Sequence, residues 1–320
     1  MQTQVEIAKL KPEMSFVGYL LVRSCDKRQG KTGREYLDIN LIDRTGEINS
    51  KHWNPEQLTF EIKPGEAVWI AGLVETFNGR YQLRINQIRP AREGDVDLAL
   101  LVPSAPEKPE VMRAEIDRTI ASFQSEELRL LVTEMLNLAG DELNWYPAAM
   151  RMHHAERSGL LHHTTTMLKI AGQLLEVYPF LNGDLLRAGV IVHDLAKIPE
   201  LKSDKFGSVS DYSRDGLLVG HLVRGVSMLD EAARNTEVGG EILALLEHMI
   251  ISHHGIPDYG SPRYPSFPEA EALHWIDTLD AHMNEMQGIM ERVPEGAFSE
   301  RIPYLDDRRI YHPYYTDDAQ

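Results

Sequence analysis

Two hydrophobic periods meet at a proline-punctuated stretch, and that junction constrains the fold more than any single motif. Residues 94–110 carry Pro103, Pro106 and Pro109 close behind Gly94 and Asp95, so neither a helix nor a sheet runs through them easily. Upstream, from Phe16 to Ile88, apolar residues recur with period two. Leu37-Asp38-Ile39-Asn40-Leu41 alternates as a strand with one buried face does, and Asp43-Arg44-Thr45-Gly46 reads as a turn. The runs Ala67 to Phe77 and Arg80 to Ile88 flank Asn78-Gly79, a pair suited to a two-residue hairpin because both central residues need positive φ. Four or five short strands over this length fit a small closed barrel, since closure removes exposed edges. An OB-fold is expected, with an SH3-like barrel as its competitor.

Downstream the period becomes 3.6. It predicts helices from about Val111 to Phe123, Glu126 to Ala139, Gly159 to Val177, Asp184 to Lys197, Leu217 to Ala233, Gly239 to His253 and Glu269 to Met290. The expected architecture is therefore multi-domain: a small all-β OB-fold barrel over residues 1–93, a linker over 94–110, and an all-α domain over 111–320.

Charge divides at the same place. The chain of 320 residues carries a formal net charge of −16, from 33 Lys and Arg against 49 Asp and Glu, which taken whole argues against a nucleic-acid binder. The first 93 residues, however, hold 14 basic and 12 acidic side chains, leaving 19 and 37 for the rest. Of the 13 histidines only His52 precedes residue 150, so metal-capable groups concentrate in the acidic, helical part. The lone cysteine, Cys25, excludes an internal disulfide and a cysteine-rich zinc site. No apolar run approaches the roughly 18 residues needed to span a bilayer, and Met1-Gln2-Thr3-Gln4-Val5-Glu6 lacks the features of a signal peptide. A cytoplasmic location without a membrane partner is expected.

Five His or Asp clusters follow one another along the helical part: His162-His163-Thr164, His193-Asp194, Gly220-His221, His253-His254-Gly255 and Asp277-Thr278-Leu279-Asp280. They sit in apolar surroundings, as in Gly189-Val190-Ile191-Val192-His193-Asp194-Leu195-Ala196. Buried His-Asp pairs are costly unless partnered, so such flanks point to a bound ligand or a hydrogen-bonded network. Imidazole and carboxylate without thiolate suit a divalent transition metal in an open site. Taken singly, His248, His274, His282 and His312 read as structural residues.

The order of these clusters resembles the HD-domain metal-dependent phosphohydrolases, with His163, then His193-Asp194, then Asp277 in helical context. The barrel joined to such a domain, together with Gly220-His221 and Ser252-His253-His254-Gly255, is similar over nearly the whole chain to the YhaM-type 3′→5′ exoribonucleases. The resemblance implies that His163, His193, Asp194 and Asp277 bind a first divalent ion. It assigns His221, His253 and His254 to a second ion, with Asp194 bridging. Manganese is the expected metal, with iron, nickel, cobalt or zinc as alternatives. Two such ions about 3.5–4 Å apart would activate water and offset charge on the phosphate. Lys197, three residues after Asp194, resembles a lysine set against the scissile phosphate and is assigned a catalytic role with Asp194. The family pattern favours His163 over His162 and Asp277 over Asp280, leaving Asp280 as a supporting or surface group. His153 and His154 either contact the substrate phosphate or cap a helix.

In the barrel, Arg28, Lys31, Arg34, Trp53, Arg80, Tyr81 and Arg84 are the expected nucleic-acid contacts, aromatic rings stacking bases while cations follow the backbone. Lys27 to Arg34, with its two glycines, reads as a mobile basic loop. Arg80, Gln82 and Arg84 are placed on one strand face, opposite Tyr81, Leu83 and Ile85. The expected function is a metal-dependent 3′→5′ exoribonuclease that hydrolyses single-stranded RNA, with DNA as an additional substrate, to nucleoside 5′-monophosphates as a homo-oligomer. The alternatives are a phosphodiesterase acting on a small nucleotide or cyclic dinucleotide, and a non-catalytic nucleic-acid-binding adaptor.

Overall fold

The computed structural model describes residues 4–30, 33–92, 94–150 and 152–314. The chain divides into two compact units between Ser104 and Ala105.

The first unit is a closed five-stranded barrel in the order β1-β2-β3-β5-β4: β1 Ser15–Gln29, β2 Glu35–Asp43, β3 Gly46–His52, β4 Ala67–Phe77 and β5 Arg80–Pro90. All ladders are antiparallel except β3 with β5, where Asn49, Ser50 and Lys51 pair in parallel with Gln82, Leu83 and Arg84 and complete the closure. This is OB-fold topology. Period two is realised as a core of Phe16, Leu20, Val22, Ile39, Leu41, Ile48, Val68, Ile70, Val74, Leu83 and Ile85. Asn78 and Gly79 both take positive φ, 51° and 76°, as the hairpin requires. The register of β4 against β5 slips between Ala71 and Gly72, and a Cβ on Gly72 would stand 2.5 Å from the Arg84 carbonyl oxygen, so only glycine fits. Part of the proline-rich stretch packs with this unit: Leu101 and Val102 are buried, and the Arg44 N–H donates to the Leu100 carbonyl at 3.3 Å.

The second unit is helical. Its described elements are α1 Pro109–Ala121, α2 Glu126–Ala139, α3 Gly159–Val177, α4 Gly183–Val192, α5 Lys197–Glu200, α6 Arg214–Leu218, α7 Gly220–Thr236, α8 Glu241–Ser252 and α9 Pro268–Met290. Two small antiparallel sheets, β6 Leu201–Ser203 with β7 Val209–Tyr212 and β8 Phe298–Ile302 with β9 Arg308–Tyr311, accompany them. They are too short to show in the periodicity. Caps fix several starts: Ser125 Oγ accepts from the Leu128 N–H and Asn182 Oδ1 from the Leu185 N–H. Leu131, Met135, Leu160, Leu161, Leu186, Val190, Leu246, Met249 and Leu273 belong to one continuous core. Among the described residues, no helix is long and apolar enough to cross a membrane.

One expected helix, Asp184 to Lys197, breaks after Val192. Pro199 has no N–H to offer the Leu195 carbonyl, which instead accepts from Ile198 at 3.2 Å, while the Asp194 carbonyl accepts from Lys197 at 2.9 Å. The tight turns across 193–197 direct neighbouring side chains into one buried space.

Candidate active site

Five imidazoles and two carboxylates meet in the helical unit. His163 comes from α3, His193 and Asp194 from the turn after α4, His221 from the first turn of α7, His253 and His254 from the end of α8, and Asp277 from α9. In each ring Nδ1 faces a fixed acceptor. His193 Nδ1 lies 2.9 Å from the Val190 carbonyl, His253 Nδ1 2.7 Å from that of Ile250, and His254 Nδ1 2.9 Å from that of Tyr259. His163 Nδ1 donates to Asp280 Oδ2 at 2.7 Å, and His221 Nδ1 faces both Glu200 oxygens at 3.0 and 3.1 Å. These partners fix Nδ1 as the outward nitrogen of each ring and leave five Nε2 atoms pointing inward.

The inward atoms form two groups around one carboxylate. His163 Nε2 lies 3.3 Å from His193 Nε2 and 3.2 Å from Asp277 Oδ1. His221 Nε2 lies 3.3 Å from His254 Nε2. Asp194 stands between them: Oδ2 is 3.3 Å from His193 Nε2, and Oδ1 is 3.6 Å from both His221 Nε2 and His253 Nε2. His163, His193 and Asp277 can hold one cation; His221, His253 and His254 can hold another; and His193, Asp194 and His253 join the two sets. Asp194 Oδ1 and His253 Nε2 are buried without a hydrogen-bond partner, each costing about 1–3 kcal/mol if left so. Unpaired acceptors aimed at one another are what a divalent cation satisfies, so the donor set fits metal binding.

Electrostatics agree. Burial alone would raise the Asp194 carboxyl, yet Lys197 and His193 hold it well below the usual carboxylate range. Lys197 Nζ contacts Asp194 Oδ2 at 2.6 Å, and although burial works against its charge, Asp194 keeps the ammonium above its ordinary value. Burial, reinforced by neighbouring imidazoles, lowers His254 to about 3, and burial also lowers His253, so both stay neutral as ligands must. His163 behaves oppositely: burial depresses it, but Asp277 and Asp280 prevail and raise it to about 9, so without an ion its Nε2 holds a proton against Asp277 that a bound cation would displace.

The structure separates residues that the sequence left paired. His163 faces the cluster, whereas His162 turns to Glu156 Oε1 at 2.9 Å. Asp277 faces inward, whereas Asp280 sits behind His163. His153 lies beside the centre, its ring centroid 5.6 Å from that of His163. His154 is 3 % exposed with Nε2 on Asp280, which corrects its reading as a substrate contact. One supporting residue escaped the sequence, Glu200, which clamps His221. His274, expected to be structural, donates from Nδ1 to the His253 carbonyl at 2.9 Å. The His274 ring packs where any side chain at Gly255 (φ 82°) would stand.

In the barrel, Trp53 lies against Tyr36 with centroids 4.8 Å apart, and Lys51 Nζ is 5.0, 5.9 and 5.3 Å from the Tyr36, Trp53 and Phe77 rings. Arg80 and Tyr81 line an open groove of about 1120 Å³ with Phe77, Asn49 and Gln82. Tyr81 is half exposed, unlike Leu83 and Ile85 on the same face of β5, which are buried. The expected basic loop begins as strand: Lys27, Arg28 and Gln29 pair within the β1-β2 ladder. Arg28 is bound to Asp38 at 3.2 Å, Arg34 lies 3.7 Å from Glu56, and Arg84 is bound to Glu75 at 3.2 Å, so these cations are partly neutralised. Lys31 lies outside the described residues. Lys51 was missed, though it lies two residues after Asn49 on one face of β3 and two before Trp53.

Comparison with known proteins agrees with this geometry. The HD domain family model matches residues 160–282. The chain is similar to the 3′-5′ exoribonuclease YhaM of a Geobacillus species, 39 % identical with 93 % of this chain and 92 % of that protein covered. It is also similar to YhaM of Bacillus licheniformis, at 36 % with 93 % and 94 % covered, and of Listeria innocua, at 37 % with 92 % and 94 % covered. A replication protein A domain from Methanococcus maripaludis aligns with 28 % of this chain and 97 % of its own, at 25 % identity and a TM-score of 0.25. With an HD domain carrying the His-Asp cluster and relatives matched over nearly their full length, the chain belongs to the YhaM family of 3′-5′ exoribonucleases.

Proposed function

We propose that the protein is a metal-dependent exoribonuclease that shortens single-stranded RNA from its 3′ end and releases nucleoside 5′-monophosphates. The observation that carries this is the placement of Asp194 between two groups of inward imidazole nitrogens. That geometry supports two ions, His163, His193 and Asp277 holding the first, His221, His253 and His254 the second, and Asp194 both. Such ions, manganese in this reading, supply Lewis acidity that activates a water and neutralises charge on the phosphate. Lys197, held by Asp194 at the edge of the centre, places a fixed cation against a phosphate oxygen as charge builds there. Water attacks the terminal phosphorus, the bond from phosphorus to the upstream O3′ breaks, and that oxygen leaves as a new 3′-hydroxyl.

The barrel's role is to hold the strand. Trp53, Tyr36, Phe77 and Tyr81 offer stacking faces, and Lys51, Arg80 and Arg84 supply charge. A cytoplasmic homo-oligomer completes the reading. End-labelled single-stranded RNA with Mn²⁺ should shorten stepwise from the 3′ end, and a 3′-phosphate should block it. Asp194→Ala should abolish hydrolysis while RNA binding persists. Internal fragments, or activity surviving Asp194→Ala, would reject the proposal. Equal turnover of long RNA and a dinucleotide would favour the small-nucleotide reading instead.

A further inference from the structure

On the Nδ1 side of His163, outside the centre just described, a second set of ligand atoms converges. His154 Nδ1 lies 3.1 Å from His162 Nδ1, His162 Nδ1 lies 2.9 Å from Glu156 Oε1, and His154 Nδ1 lies 3.9 Å from the same oxygen. Tetrahedral coordination at zinc distances separates ligands by about 3.3 Å, and these three spacings bracket it. We propose that His154, Glu156 and His162 form a separate divalent-cation site of zinc type.

Hydrogen bonding supports this. His154 Nε2 is committed to Asp280 Oδ2 at 2.8 Å, so its Nδ1 presents a lone pair. Glu156 presents only acceptor oxygens when ionised, and its Oε1 accepts from His162 at 2.9 Å. One Nδ1 proton, on His162, is then shared between two acceptors. The Asn284 amide reaches His154 Nδ1 only at 3.4 Å. A cation satisfies all three atoms at once, and Asp280 behind His154 completes the carboxylate–histidine–metal arrangement common at metal sites.

The scaffold fixes His154 before any ion arrives. Its backbone is left-handed at φ 51°, its N–H donates to Asn284 Oδ1 at 2.9 Å, and its carbonyl accepts from Ala148 at 3.1 Å. That carbonyl would stand 1.9 Å from any Cβ at position 159, so Gly159 is required for the arrangement. His162 and Glu156 keep 22 % and 23 % of their side-chain surface exposed, leaving an entry path and a fourth position for water. Asp280 Oδ2 accepts from both His154 and His163, so an ion here braces a ring of the main centre.

The test is zinc stoichiometry on the full chain after chelation, read by calorimetric titration and elemental analysis. Wild type should bind one equivalent that Glu156→Gln and His162→Gln each lose or hold at least tenfold more weakly. Asp194→Asn, which addresses only the main centre, should retain that equivalent. Unchanged stoichiometry and affinity in both Glu156→Gln and His162→Gln would overturn the site, as would loss of every equivalent in Asp194→Asn. Failure of the main centre as a metal site would show differently, as a single zinc in wild type that Asp194→Asn leaves intact.

Discussion

Replacing Asp280 by asparagine isolates how much the main centre depends on a residue that never faces it. Asp280 Oδ2 accepts two buried hydrogen bonds, from His163 at 2.7 Å and His154 at 2.8 Å. Asparagine preserves size and one acceptor oxygen but removes the charge. A hydrogen bond to a charged group contributes about 1.5–3 kcal/mol and a neutral one about 0.5–1.5, so each bond weakens by about 1 kcal/mol. Only the His163 bond holds a ligand of the main centre, and about 1 kcal/mol there corresponds to roughly fivefold in a binding constant, near the lower end of the effect typical of groups that orient metal ligands. The assay is RNA hydrolysis against Mn²⁺ concentration. The half-saturating concentration should rise about fivefold to tenfold in Asp280→Asn, while the rate at saturating metal changes less. An unchanged half-saturation point would refute the reasoning, because the Nδ1 partner would then have no influence on the Nε2 that binds.

Three further outcomes are expected. Lys197→Met should lower kcat about 10²- to 10³-fold, the usual cost of removing a group that stabilises developing charge; a change confined to KM would move Lys197 out of the reacting centre. Trp53→Ala should weaken binding of single-stranded RNA by about 1–3 kcal/mol per lost base stack, read by fluorescence anisotropy with chelator present. Unaltered affinity would place the strand elsewhere on the barrel. For pH, burial raises Asp280, but His154 and His163 outweigh it and hold the folded-state value below the usual carboxylate range. The resulting stability is fully present above the unfolded value near 4 and is lost as pH falls below it. The melting midpoint of chelated protein should therefore drop below about pH 4, with a shallower drop in Asp280→Asn.

Local patterns carried much of this structure. Ala67–Phe77, Glu126–Ala139 and Gly159–Val177 lie in the structure where alternation and helical period place them, because capping, turn chemistry and burial agree there. The break after Val192 was hidden because Leu195 and Ala196 continue the apolar pattern, and Pro199 acts on a carbonyl four residues back. His162 and His163 are alike in sequence; only the direction of α3 against α9 decides which meets Asp277. Glu200 meets His221 across 21 residues, and Glu156 meets His162 around the start of α3, so neither contact has a periodic signature. Lys27 and Arg28 looked like loop residues because their charges conceal a continuing strand.

The anchoring of five Nδ1 atoms has a thermodynamic side. Imidazoles tied to backbone carbonyls, Asp280 and Glu200 lose their rotameric freedom when the chain folds, not when ions bind. Cation affinity is then diminished by little ordering, and the mutual repulsion of the converging lone pairs burdens the metal-free state. Ion binding and folding thus draw on one free energy, and the helical unit's melting temperature should climb with the logarithm of free metal concentration.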